Sequence, residues 1–252
     1  MTTMVAPPHA DPVTEGARIA QVAGDAGLEL RVVGGVAVAL RCASSSSPPL
    51  SRAYKDVDVA GRAADRVRIT ALLTEAGYLA DEQFNALNGA RRLLFYDVAN
   101  QRRLDVFLDR VELCHTIDLL PRLPIPGATL PLADLLLMKL QVVETNDKDF
   151  LDMAALLVDQ PFAARDDDAI NVDYLCELAG RDWGLWRTMT MVARRLETHS
   201  AGLGDKAIGT TVRAKVSELL ERLESAPKSR SWRLRARLGD RVRWYELPDD
   251  DA

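Results

Sequence analysis

The sequence predicts an α/β (α+β) fold, with a sheet-bearing part over residues 13–160 and a helical C-terminal part over residues 168–252. Three observations carry that expectation. Short β-prone runs alternate with stretches of helical periodicity in the first part. Two of those runs, 92–98 and 103–108, are joined only by Ala99-Asn100-Gln101-Arg102, which implies an antiparallel hairpin. From about residue 172 onward the apolar spacing is helical. The composition shifts between Pro161 and Asp168, the expected boundary, and residues 1–12, with Pro7, Pro8 and Pro12, read as a mobile lead-in.

In chain order, Ala17, Ile19, Ala20 and Val22 fit a helix over 13–26 that stops before Gly27. Residues 28–33 form a strand candidate closed by Gly34-Gly35, and 36–41 the first turns of a helix. The Ser/Pro-rich residues 43–53 read as a loop. A short strand over 56–60 then precedes a helix over 63–76 that stops at Gly77. After the hairpin, residues 121–131 are a proline-rich connector leading into helices over 132–143 and 148–157. Helices over 172–178, 183–196 and 206–223 and a final Arg-rich segment complete the chain.

Length and composition narrow the class. The 252 residues suffice for one large domain or two modest ones, and 48% apolar with 27% charged residues is ordinary for a globular protein. A net charge of -5 argues against a protein that coats nucleic acid. Cys42, Cys114 and Cys176 are odd in number and widely spaced, which suggests reduced thiols and neither a disulfide framework nor a zinc site. The N-terminus lacks a basic region followed by an apolar run, and no segment approaches the roughly 20 apolar residues that span a bilayer. A cytoplasmic protein with no membrane segment is expected.

The chemistry gathers around two glycines and three aspartates. In a strand, residues i and i+2 share a face, so Asp56 and Asp58 project together. Like charges held that close are costly unless a cation or a shared proton neutralises them. Asp105, on the second strand of the hairpin, brings a third carboxylate. Mg²⁺ (or Mn²⁺) suits such oxygen donors, with phosphates and waters completing its shell, and two such ions stabilise an in-line phosphoryl displacement. Gly34 and Gly35 lack Cβ atoms, so their amides and the helix that follows can approach a triphosphate.

In these residues the sequence resembles the nucleotidyltransferase superfamily built on the polymerase-β-like palm, most closely the abortive-infection type nucleotidyltransferase toxins. Gly34, Gly35 and Arg41 match the first motif, Asp56 and Asp58 the D-x-D pair (with Lys55 before it), and Asp105 the later acid. Lys139 matches a helical lysine, and Lys148-Asp149-Phe150-Leu151-Asp152 a basic-D-x-x-D segment. The resemblance covers roughly residues 28–157 and departs at Val36, where the wider superfamily often has serine. It implies a palm with a mixed sheet and transfer of a nucleoside monophosphate from an NTP to an acceptor. Asp56 and Asp58 would be catalytic metal ligands, and Asp105 would complete the metal site or act as the base. Gly34, Gly35, Arg41, Lys55, Lys139, Asp149 and Asp152 would serve the nucleotide. A toxin-like chain would take tRNA or protein as acceptor and have a cognate antitoxin; a resistance-like one would take a small molecule such as an aminoglycoside. An inert nucleotide sensor, or a palm that serves a partner protein, stands as the alternative class.

Other residues carry plainer expectations. Asp109 reads as a strand-end cap, and His115 as a strand histidine. Asp149 and Asp152 share a helix face, where stabilising the helix start competes with a catalytic role. Trp183 and Trp186 read as core anchors. Seven basic residues between Lys228 and Arg243, interleaved with Trp232 and Trp244, would form either an RNA-facing patch or a segment packed on the chain's own acidic surface, including Asp166-Asp167-Asp168. The net acidic balance favours the second.

Overall fold

Pro12, which has no N–H to lose in a first helical turn, opens helix α1 (Pro12–Asp25), and Asp11 caps it by accepting from the Thr14 amide at 2.7 Å. In the computed structural model of the chain, residues 6–247 are described. They divide into two compact units. The first holds the residues up to Leu40, Ala53–Val111 and Ile117–Leu130; the second holds Arg41–Arg52, Glu112–Thr116 and the chain from Pro131 onward. The expected boundary at 161–168 lies inside the second unit.

The first unit is built on a five-stranded sheet. Strand β1 (Arg31–Val33) runs straight into helix α2 (Gly34–Arg41), and β2 (Val57–Gly61) leads through a 3₁₀ turn into α3 (Arg66–Glu75). Two short elements without a legible period, β3 (Leu79–Ala80) and α4 (Glu82–Asn88), come before the hairpin of β4 (Arg92–Asp97) and β5 (Arg102–Leu108). The order is β1-β2-β5-β4-β3, with β2 and β5 parallel and the other pairs antiparallel, so the sheet is mixed. The predicted hairpin is present. Residues 28–30 precede β1 without joining a strand, and α2 begins at Gly34 itself.

Alternation assigns the sheet's two faces. Val57, Val59, Leu93, Phe95, Leu104, Val106 and Leu108 point one way and are buried. Asp58, Arg92, Leu94, Asp105 and Phe107 point the other way, and this is the face that carries the candidate chemistry. On the core face, Asp97 and Arg102 are register partners at the closed end of the hairpin and form a buried ion pair at 2.6 Å. Arg102 also donates to the carbonyls of His9 (2.6 Å) and Ala10 (3.3 Å), and Arg18 to that of Ala6 (2.9 Å). Described residues 6–11 are therefore tied down by arginines, in contrast to the expected mobile lead-in; residues 1–5 lie outside the described residues.

After β5, a two-stranded sheet pairs β6 (Arg110–Glu112) with β7 (Thr116–Asp118), and His115 sits at its turn rather than in a strand. The second unit is mostly helical: α5 (Leu132–Leu140), α6 (Asp147–Asp159), α7 (Val172–Arg181), α8 (Trp183–Ser200), α9 (Lys206–Ser225) and α10 (Arg230–Ala236). Helix α5 buries nearly its whole surface, which is why its pattern reads as continuously apolar. The strands β8 (Phe162–Ala163) and β9 (Ile170–Asn171) pair in parallel across the expected boundary, so the composition shift there marks a surface loop within one unit. Asn146 and Asp149 close a reciprocal capping box at the start of α6.

Glu15 is a second buried charge of the first unit. Its carboxylate receives Arg18 Nε and Nη2 at 2.8 and 2.7 Å, the Tyr78 hydroxyl at 2.6 Å and the His9 amide at 2.8 Å. Burial pushes its pKa up, but the hydrogen bonds from Arg18, Tyr78 and His9 outweigh burial and hold it below the ordinary 4.5. A carboxyl with a depressed folded pKa stabilises the fold above its unfolded value and loses that contribution as pH falls through the folded value. Acid unfolding of Glu15→Gln, followed by circular dichroism, is thus expected to show a weaker dependence on pH below about 4.5 than the wild type. Tyr78→Phe is expected to cost about 1–3 kcal/mol in urea denaturation at neutral pH, because it strips a donor from a buried carboxylate.

Candidate functional site

The predicted residues of the first unit meet at the junction of β1, α2, β2 and β5. Gly34 has φ +66°, a left-handed backbone that glycine adopts without strain, and it turns the chain from β1 into α2. A Cβ built on Gly34 would lie 2.5 Å from Asp58 Oδ2. The space that glycine leaves is thus filled by the carboxylate of Asp58, which sits against the first residue of α2. Helix amides at that end carry partial positive charge and favour an anion. Gly35 continues α2.

The parallel register of β2 and β5 sets Asp58 directly beside Asp105. Asp56 lies just ahead of β2, exposed to solvent, and its Oδ1 accepts from the Arg103 amide at 3.4 Å. Lys55 is exposed beside it in the chain. Asp105 is buried, and its Oδ1 receives Arg92 Nε at 3.0 Å and Nη2 at 2.9 Å, with Arg103 Nη2 at 3.7 Å. Asp58 and Asp105 thus occupy neighbouring positions of two strands, while Asp56 precedes β2, which starts one residue later than the expected 56–60 strand, and Asp105 is already paired with an arginine. Asp109, at φ +63°, accepts from the Ala63 amide at 2.8 Å and so secures the turn after β2, the capping role foreseen for it.

Among the described residues, no group of three or more His, Cys, Asp or Glu side chains is gathered so as to hold a metal ion. The expected cation needs fewer. Mg²⁺ is commonly bound through one or two carboxylates, with phosphate and water oxygens completing the octahedron. Asp56 and Asp58 supply hard-oxygen donors two residues apart, the chemistry such an ion takes, and Asp105 is paired with Arg92.

The remaining predicted residues belong to the second unit, where they form a network of their own. Lys139 Nζ lies 2.8 Å from Asp149 Oδ1 and 2.9 Å from Asp152 Oδ2. Burial presses its pKa down, but the two carboxylates outweigh burial and hold it above the ordinary lysine value. Arg52 grips Asp152 through Nε and Nη2, each at 2.7 Å. Asp149 therefore caps α6 and pairs with the lysine at once, whereas Asp152 is the buried centre of the network. Arg41 pairs with Asp168 at 2.9 Å, and its carbonyl accepts from Gln160. The serine run makes a 3₁₀ turn whose Ser44 amide donates to Asp159. Within this network each cation is matched by a carboxylate, which differs from the surplus of positive charge that a triphosphate would call for.

The Arg-rich segment packs on tryptophans instead of on the acidic cluster. Trp232 meets Trp186 edge-on at 5.2 Å between centroids, and Trp244 meets Trp183 at 5.8 Å. Arg235 stacks over Trp183 at 4.5 Å, and Arg187 of α8 pairs with Asp240 at 2.7 Å. Trp183 and Trp186 are the anchors foreseen; Trp232 and Trp244 are committed to the same cluster and do not face outward to stack on bases. Arg230, Arg233, Arg237 and Arg241 stay at the surface. His115 Nε2 lies 2.8 Å from Thr188 Oγ1, and burial lowers its pKa.

Two arginines escaped the sequence reading. Arg52 stands in the Ser/Pro-rich loop, where no period marks it. Arg92 was legible in principle, because a hairpin that pairs Asp97 with Arg102 pairs Leu94 with Asp105, which sets Arg92 one step along the same face. No protein-family model matches the chain, and no curated protein matches its sequence.

Gly34→Ala is expected to destabilise the protein by about 1–2 kcal/mol through the left-handed backbone alone, with a further cost for displacing Asp58, as read by chemical denaturation. Asp152→Asn, which leaves Lys139 and Arg52 partly unpaired in a buried setting, is expected to cost about 3–5 kcal/mol. Asp149→Asn, which keeps an oxygen for the capping box but takes one of its two carboxylates from the buried Lys139, is expected to cost about 1–3 kcal/mol by the same measurement.

Proposed function

We propose that the chain is a Mg²⁺-dependent nucleotidyltransferase, moving a nucleoside monophosphate from an NTP to an acceptor and releasing pyrophosphate. The observation that carries this reading is the parallel register that sets Asp58 beside Asp105, with Asp58 packed on the glycine turn that opens α2. The motif order read from the sequence supports it: a Gly-Gly turn into a helix, a D-x-D pair, then a third acid on the neighbouring strand. In this reading an acceptor hydroxyl attacks the α-phosphorus, the bond to the pyrophosphate oxygen breaks and pyrophosphate leaves, and the hydroxyl proton passes to water.

Asp56 and Asp58 would hold Mg²⁺, which supplies neutralisation of the triphosphate oxygens when bound. The amides at the start of α2 would orient the phosphates by their dipoles, and Asp58 would couple that helix end to the cation. Positioning and fixed charge would do most of the work, as in other phosphoryl transfers. A toxin-like chain would modify tRNA or protein and be held by a cognate antitoxin; an aminoglycoside-type acceptor is the small-molecule alternative. No helix among the described residues is long and apolar enough to cross a membrane.

One observation favours a second reading, an inert nucleotide-binding protein: Asp105 is bound to Arg92 and not turned to a shared cation. Label transfer separates the two. Each of the four α-labelled NTPs, with Mg²⁺, is offered to total RNA, a protein extract and a panel of aminoglycosides. The expected outcome is label on one pool, with Asp58→Asn lowering transfer at least about 10²–10³-fold, the scale on which losing one charge-stabilising group acts. Nucleotide binding without label on any pool would support the inert reading.

A further inference from the structure

The face that carries Asp56, Asp58 and Asp105 has a charge problem that the pairing of strands creates and a divalent ion on the first two acids would solve only in part. Asp105 is buried beside Asp58, so its charge must be met within the fold. Arg92 meets it. Its guanidinium places Nε and Nη2 on a single oxygen of Asp105, at 3.0 and 2.9 Å. The same group lies over the Phe107 ring at 5.3 Å and the Phe84 ring at 5.8 Å. Phe107 comes from β5, two residues beyond Asp105, and Phe84 from α4, so the arginine is held by two elements besides its own strand. Stacking on aromatic faces and partial burial, with 17% of its side chain exposed, fix the guanidinium as a built part of the face.

We propose that Arg92 is a resident cation that occupies Asp105 in place of a metal ion, so that the face takes a single divalent cation on Asp56 and Asp58. This rests on the nucleotidyltransferase reading and deepens it, since it assigns Asp105 to positioning Arg92 instead of to metal ligation. A planar guanidinium with five donors can bind Asp105 and still present N–H groups to a phosphate or hydroxyl oxygen. Asp105 is thus a positioning residue for Arg92, and α4, which also holds the Leu94 backbone through Asn85, supplies the Phe84 ring against which the guanidinium rests.

The test counts ions on the full-length chain, with Mn²⁺ alone as the probe, by electron paramagnetic resonance of free Mn²⁺. Wild type, Arg92→Lys and Asp105→Asn are each expected to bind one Mn²⁺, and Asp58→Asn none. Arg92→Gln, which keeps bulk but removes the charge, is expected to bind two, or to bind its ion at least about tenfold more tightly. The double variant Arg92→Gln/Asp105→Asn is expected to return to one. Two ions in wild type, or loss of the ion in Asp105→Asn, would overturn the assignment of Arg92 while leaving the metal-dependent reading in place. No ion in wild type would overturn both, and no ion in Arg92→Gln with one in wild type would overturn the assignment of Arg92 alone. Arg92→Lys and Asp105→Asn keep the count decisive should Arg92→Gln fail to fold.

Discussion

The parallel pairing of β2 with β5 is the constraint on which the first unit turns. It places Asp58 and Asp105 side by side on one face of the sheet, an arrangement that repels itself unless positive charge is brought to it. Three features of the surrounding structure answer that demand. Asp58 is laid against the N-terminal residue of α2, Asp105 is bound by Arg92, and Asp56 stays at the solvent edge where a cation can reach it. Buried acids that must be compensated are commonly kept where their charge is used.

That constraint reaches into the backbone. Asp58 could not rest on the start of α2 if residue 34 had a side chain, and the chain could not pass from β1 into α2 with a left-handed residue at low cost if that residue were not glycine. The opposite face is tied by a separate set of buried charges. Asp97 with Arg102, and Glu15 with Arg18 and Tyr78, lock residues 6–11 against the sheet. The sheet therefore carries charged groups on both faces, Asp97 and Arg102 on one and Asp58, Arg92 and Asp105 on the other.

Much of this was legible because it depends on short-range pattern. The hairpin followed from its four-residue connector and the turn from adjacent glycines, whereas the strand expected to begin at Asp56 begins at Val57. What escaped depends on contacts between residues remote in sequence. Arg52 meets Asp152 a hundred residues away, and nothing in a serine-proline loop announces it. The strands β8 and β9 are two residues long, too short to show alternation, so the loop between them read as a domain boundary. The lead-in looked mobile because prolines suppress periodicity, although its carbonyls satisfy arginines of α1 and β5. In the candidate site, the positions of Asp58 and Asp105 follow from strand parity, but the commitment of Asp105 to Arg92 needed the hairpin register.

The tail teaches the same lesson about composition. Arginines interleaved with tryptophans suit nucleic acid, yet Trp232 and Trp244 complete an aromatic cluster with Trp183 and Trp186, and Arg235 lies on it. A segment's residue types state what it can bind; only its packing states what it already binds.

The central claim is that Asp56 and Asp58, at the glycine turn, hold a divalent cation that presents a triphosphate. Anomalous diffraction from crystals soaked with Mn²⁺ and a non-hydrolysable NTP tests it most directly. The account predicts one anomalous peak between the carboxylates of Asp56 and Asp58, with triphosphate oxygens on the ion and against the start of α2. Triphosphate bound away from that turn, or no peak at the two aspartates under saturating Mn²⁺, would contradict it.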